Sequence, residues 1–151
     1  MNQKNNKSIK SYVFGLLAKR SYHSSELQKK LQQKGIGTAQ EQAEIIQLCQ
    51  DRGYVNDKEY LKYYVHSQLQ KKPQSLRLIQ QKLRQKGIIT EGLSLESTID
   101  EFALAQTAAK KKLPTFPDRL TKNQKQQKLY RFLLARGFSS HIAMQVMKEV
   151  V

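Results

Sequence analysis

The chain has 151 residues and a formal net charge of +15, from 27 Lys and Arg against 12 Asp and Glu. That length allows one buried core or three small linked units. The charge excludes basic partners and favours polyanions: nucleic acid, a nucleoprotein, an acidic protein groove or, less readily, a membrane surface. No basic tail accounts for it, because residues 1–52 carry +5, residues 53–90 carry +6 and residues 91–151 carry +4. Cys49 is the only cysteine, so no intramolecular disulfide can form. Its neighbours Ile45, Ile46 and Leu48 predict a buried core thiol. No apolar run approaches the ~20 residues that span a bilayer, and the polar start lacks a signal-peptide core. The expectation is a cytoplasmic protein that does not enter the membrane.

In chain order, residues 1–8 are polar and expected to be disordered. From Ile9, apolar residues at helical spacing (Tyr12, Val13, Leu16, Leu17) predict a helix ending near Lys19 and Arg20. Ser24 is the expected cap of a second helix, with Glu26 in its first turn, running to Gly35. Thr38 and Glu41 form a Thr-x-x-Glu capping box, so a third helix starts at once and is stopped by Gly53. Asn56 caps the next, which carries the stripe Tyr60, Leu61, Tyr64, Val65 and Leu69. Lys71-Lys72-Pro73 breaks it, and Ser75 caps a helix through Ile79 and Leu83 to Gly87. A further helix is expected through Leu95, Ile99 and Phe102, with a bend near Ser97 or Asp100. Lys110-Lys111-Lys112 and the prolines at 114 and 117 mark the longest connection. Thr121 with Gln124 and then Ser139 open the last two helices. Nothing alternates with period two, so the chain is all-α.

One phrase recurs three times. It reads Leu27, Leu31, Lys34, Gly35, Ile36; then Ile79, Leu83, Lys86, Gly87, Ile88; then Leu129, Leu133, Arg136, Gly137, Phe138. The glycines lie 52 and then 50 residues apart. Each copy is a helix end, with a base in the last turn and a glycine that can adopt the left-handed conformation. Three copies predict a helical repeat protein offering a binding surface and not a catalytic pocket. The expected units are residues 9–55, 56–101 and 102–151.

Catalytic chemistry is missing. There is no glycine-rich phosphate loop, no Cys or His cluster and no carboxylate pair in a setting that raises a pKa. His23, His66 and His141 fall in different units without ligands at metal spacing, and read as surface or cap-adjacent histidines. Neither metal nor cofactor is expected, and the chain is read as not being an enzyme.

Arg20-Ser21-Tyr22-His23-Ser24-Ser25-Glu26-Leu27, running into Lys30-Leu31 and Lys34-Gly35, resembles the first repeat of the RecX family. Gly53-Tyr54-Val55-Asn56-Asp57-Lys58-Glu59-Tyr60 is similar to that family's most recognisable stretch, which opens the second repeat. Leu83 to Ile88 and Gly137-Phe138-Ser139 follow in order, so the resemblance covers about residues 10 to 150. Lys72-Pro73-Gln74-Ser75 departs from it, because the family usually has a glycine before the middle helix, and residues 102–112 match only loosely. The resemblance implies three tandem three-helix repeats in an elongated, curved molecule. It also implies a monomeric regulator of the RecA recombinase, one that binds the groove of the RecA–single-stranded DNA filament and restrains its ATPase, strand exchange and coprotease activities.

Candidate contact residues are the basic positions and one tyrosine. Lys34, Lys86 and Arg136 hold equivalent places, where a base also suits its own helix dipole. Asp57 at a helix start needs no partner for the same reason. Lys29, Lys30, Lys82 and Arg84 lie mid-helix beside the apolar stripe, where no capping argument applies. Lys30 and Lys82 correspond to Phe132, five residues before each glycine, which predicts a position at the edge of the core. Lys19 and Arg20 extend the same basic set. Tyr63 falls off the stripe of Tyr60 and Tyr64 and is the better surface contact. The rival reading is a helix–turn–helix DNA- or RNA-binding module over residues 24–48. Against it, the would-be recognition helix carries Glu41 and Glu44 and no base until Arg52, where groove reading needs donors. Weak direct DNA binding is compatible with either reading.

Overall fold

The computed structural model describes residues 2–90 and 99–151, with the first six of these by backbone alone. It contains α1 (Asn2–Lys19), α2 (Ser24–Lys34), α3 (Ala39–Asp51), α4 (Asp57–Lys71), α5 (Leu76–Gln85), α6 (Glu101–Lys112), α7 (Lys122–Ala135) and α8 (Ser140–Val150). A 3-10 turn at Leu113–Thr115 follows α6. Among the described residues there is no strand.

The chain divides into two compact units whose boundaries cut α4 after Tyr63 and α5 after Lys82. In the first unit α1, α2 and α3 enclose Ile9, Val13, Leu27, Leu31, Ile45, Cys49 and Val55. Apart from Val55, which lies between α3 and α4, these residues are spaced four apart and so share one face of each helix. Cys49 is fully buried, as expected. In the second unit α6, α7 and α8 enclose Ala105, Ala108, Ala109, Leu129, Leu133, Phe138, Ala143 and Val146. Three alanines on α6 let the helices approach closely there.

The repeated helix endings form as the sequence predicts. Gly35, Gly87 and Gly137 have φ of 68°, 78° and 87°. In the second and third copies the residue after glycine donates its N–H to the carbonyl five back, Ile88 to Leu83 at 3.0 Å and Phe138 to Leu133 at 3.2 Å. That bond folds Ile88 and Phe138 inward, where both are buried. The Thr38–Glu41 and Thr121–Gln124 boxes are both present, and Asn56, Ser75 and Ser139 accept from the N–H three residues on.

Several local expectations differ from the structure. α1 starts at Asn2, so residues expected to be disordered join the helix, with neither Pro nor Gly to stop its backward growth. Ser24 is the first helical residue of α2 and not its cap; the cap is His23. Ile99 precedes α6 and lies outside any helix, because the Asp100 side chain accepts from Ala103 N–H and starts α6 there. Asp100 is thus the break, while Leu95 and Ser97 lie outside the described residues. Lys110, Lys111 and Lys112 form the last turn of α6, and the connection begins only at Leu113. Lysine is a good helix former and its charge suits a helix C-terminus, so the run extends the helix up to Pro114.

Candidate basic interface

The start of α2 is built from polar groups and shows how the first unit positions its bases. His23 is 4% exposed, and its Nδ1 accepts the Ser25 N–H at 3.1 Å. Glu26 returns the bond by accepting the His23 N–H at 3.1 Å, which completes a capping box. Asp57, from the start of α4, accepts both the N–H and the hydroxyl of Ser24 at 2.8 and 2.5 Å, and lies 3.5 Å from His23 Nε2. Asp57 therefore has partners, contrary to the reading of a lone acid on a helix dipole. It ties the first turn of α4 to the first turn of α2. His23 is correspondingly a buried cap and not a surface residue.

Arg20 leaves the end of α1 and pairs with Glu26 at 3.1 Å while stacking on Tyr22, 3.6 Å from the ring centroid. Burial raises the Glu26 pKa, but hydrogen bonds from Arg20, the His23 N–H and Tyr60 outweigh it and hold the pKa below the ordinary value. Burial and the bond to Glu26 push the Tyr60 hydroxyl up to about 12. Burial of the His23 imidazole outweighs the nearby Asp57 and Glu26 carboxylates and keeps it neutral further into acid than a free histidine. Arg20 is thus partly engaged by its own unit, which narrows its candidacy as a partner contact.

The other candidates of this unit lie at or near its surface. Lys19, Lys29 and Lys34 are exposed and Lys30 is half-buried; the Lys34 ammonium also reaches 5.7 Å from the Tyr12 ring. Tyr63 is 76% exposed, as its place off the apolar stripe predicts. Arg84 and Lys86, at the end of α5, are exposed. The would-be recognition helix α3 uses Glu41 in its capping box, and Glu44 accepts from Gln40 at 3.2 Å.

In the second unit two candidates prove to be structural as well as basic. Lys82 Nζ donates to Gln74 Oε1 at 2.8 Å, and Gln74 is fully buried. The Gln74 amide in turn donates to the carbonyls of Gln68 and Lys72 at 3.1 and 3.4 Å. Partial burial, then the charges of Lys72, Arg136 and Lys71, lower the Lys82 pKa. Arg136 donates to the Pro73 carbonyl at 2.8 Å, and its guanidinium carbon sits 4.6 Å from the Phe132 ring centroid. The turn Lys72-Pro73-Gln74-Ser75 is therefore held by Gln74, Lys82 and Arg136. Around it lies a shallow cavity of about 180 Å³ lined by Lys71, Lys72, Lys111, Lys112, Phe132 and Arg136. Sequence reasoning treated its four lysines only as breaks between helices. The signal was two lysine runs at helix ends, each followed by proline within two residues.

Among the described residues no His, Cys, Asp and Glu are grouped as a metal site would need, and no helix is long and apolar enough to cross a membrane.

Two family models match, those of the second three-helix domain of RecX over residues 56–91 and of its third three-helix domain over residues 99–147. The regulatory protein RecX of Haemophilus influenzae (strain PittEE) is 32% identical over 134 residues, covering 86% of each chain. That of Haemophilus ducreyi (strain 35000HP / ATCC 700724) is 38% identical over 133 residues, covering 85% of this chain and 83% of its own. The crystal structure of RecX from Lactobacillus salivarius superposes with a TM-score of 0.85 over 97% of both chains, at 23% identity.

Proposed function

The chain belongs to the RecX family of regulatory proteins, which are not enzymes, and from that premise we propose that it regulates the RecA recombinase by binding the RecA–single-stranded DNA filament. In this reading it acts in the cytoplasm as a monomer and works by occupancy alone. It lies along the filament groove and restrains ATP hydrolysis, strand exchange and coprotease action. Residues 9–55, 56–101 and 102–151 serve as its three repeats.

The observation that carries this reading is the position five residues before each repeated glycine. Lys30, Lys82 and Phe132 are each half-buried at the rim of a core, which sets bases at equivalent places in two repeats. A scaffold that repeats its basic rim suits a partner that repeats its own surface, as a filament does. Lys19, Lys29, Lys34, Arg84, Lys86 and Tyr63 are the further exposed contact candidates.

The deciding experiment is the DNA-dependent ATP hydrolysis of cognate RecA at physiological salt. Stoichiometric or substoichiometric addition of the chain should suppress it, while the chain binds bare duplex DNA weakly. An unchanged rate rejects the proposal. Tight duplex binding that falls steeply with salt, with no effect on RecA, would instead favour a simple nucleic-acid-binding module.

A further inference from the structure

The cavity beside Pro73 is formed where three helices end. Lys71 lies in the last turn of α4, Lys111 and Lys112 lie in the last turn of α6, and Arg136 follows α7 as its C-cap. A helix C-terminus carries about half a negative charge, so three of them offer about −1.5 in all. Lys71, Lys72, Lys111, Lys112 and Arg136 supply five positive charges, and no carboxylate is among the described residues that line the cavity. The cations exceed what the helix ends require.

Their engagement within the unit is uneven. Arg136 is held by the Pro73 carbonyl and Phe132, and the Lys112 ammonium lies 5.3 Å from the same ring. Lys71, Lys72 and Lys111 are exposed at the rim. Lys82 is partly buried, and it lies close enough to Lys72, Arg136 and Lys71 for their charges to disfavour its own as well. Assembling such a cluster costs electrostatic energy that an anion would recover.

We propose that this cavity is a phosphate-binding site for the backbone of single-stranded nucleic acid, with Lys71, Lys72 and Lys111 contacting successive phosphates and Lys112 and Arg136 forming its floor. Helix C-termini present carbonyls and not N–H groups, so the cavity lacks the amide cradle that encloses a free phosphate or a nucleotide tail. Attraction must come from mobile ammonium groups at an open rim. Such groups gain most from a dense polyanion, through release of its condensed counterions. The site deepens the filament reading by giving the filament's DNA a seat on the chain, and rests on it only for the source of the strand.

The test uses the full chain and a labelled single-stranded oligonucleotide, followed by fluorescence anisotropy at several salt concentrations without RecA. The variant Lys71→Gln/Lys72→Gln/Lys111→Gln should lose at least tenfold in affinity, and its log–log salt slope should shrink by about 2, at about 0.7 per phosphate contact on a single strand. The charge-matched control Lys10→Gln/Lys58→Gln/Lys62→Gln, exposed in the first unit, should lose less than threefold. Equal losses in the two variants, or none in the first, overturn the site. So does polyglutamate or ATP competing as well as an unlabelled oligonucleotide at matched ionic strength, which would indicate an acidic protein or a free phosphate as ligand. Circular dichroism must match wild type; if it does not, the single variant Lys111→Gln carries the comparison, with an expected slope change of about 0.7. RecA ATP hydrolysis reports separately. Suppression by a chain whose oligonucleotide binding ignores the triple change rejects the site and keeps the regulator. A pocket-dependent binder without effect on RecA does the reverse.

Discussion

Arg136 and Pro73 are 63 residues apart, yet the Arg136 guanidinium donates to the Pro73 carbonyl at 2.8 Å while the Arg136 carbonyl accepts the Ser75 N–H at 3.0 Å. One residue thus closes the turn before α5 from both its side chain and its backbone. A base in the last turn of a helix needs no such partner, and this one is tied across the second unit.

Replacing Arg136 by Ala should therefore destabilise the chain by about 1–2 kcal/mol, since a hydrogen bond to a charged donor and a ring contact are both lost. Arg136→Lys should recover only part, because an ammonium cannot present the same planar fork. Urea unfolding measures both, and a loss below about 0.5 kcal/mol for the Ala variant would mean that the tie contributes little.

The rim lysines should separate on reversal of charge. Lys30→Glu should weaken filament binding with little change in stability, because no residue of the core relies on it for a hydrogen bond. Lys82→Glu should also destabilise by about 1–3 kcal/mol, since it leaves Gln74 Oε1 unpaired inside the core. Co-sedimentation with RecA filaments and thermal unfolding together read the two effects. Equal stability of both variants would contradict the role given to Gln74.

The glycines of the repeat should not be equivalent. A Cβ on Gly35 meets open space, so Gly35→Ala carries only the left-handed strain of about 1 kcal/mol. A Cβ on Gly137 would collide with Ser75 Oγ and Leu78, so Gly137→Ala should cost about 2 kcal/mol or more. Comparable unfolding midpoints for the two would refute the close approach of the α7 end to Ser75.

Acid should loosen the start of α2. The native pKa of His23 is depressed, so the stability from its neutral form is complete above its ordinary value near 6.5 and falls as pH drops below it. Glu26 is depressed too, so its contribution is complete above about 4.5 and is lost in stronger acid. Both act in the same direction. His23→Asn keeps a capping acceptor without titrating, and should flatten the fall in stability between pH 6.5 and 5. An unaltered slope would show that His23 does not drive it.

Local order is what the chain spells out by itself. The three Gly endings, the Thr38–Glu41 and Thr121–Gln124 boxes, the burial of Cys49 and the half-burial of Lys30 and Lys82 depend on residues within a few positions of one another. Helix geometry fixes these spacings, so sequence suffices to read them. The His23 cap escaped because serine is the commoner cap, and only Asp57, 33 residues from Ser24, claims the Ser24 hydroxyl for another bond. The same limit hid the basic cavity. Lys71 and Lys72 and then Lys111 and Lys112 read as breaks between helices until α4, α6 and α7 bring their ends together. Which cations converge depends on how helix ends pack, and packing is set by side-chain fit between distant segments. Sequence determined the helices, their caps other than His23, and the family; tertiary structure alone decided which bases serve the fold and which remain for a partner.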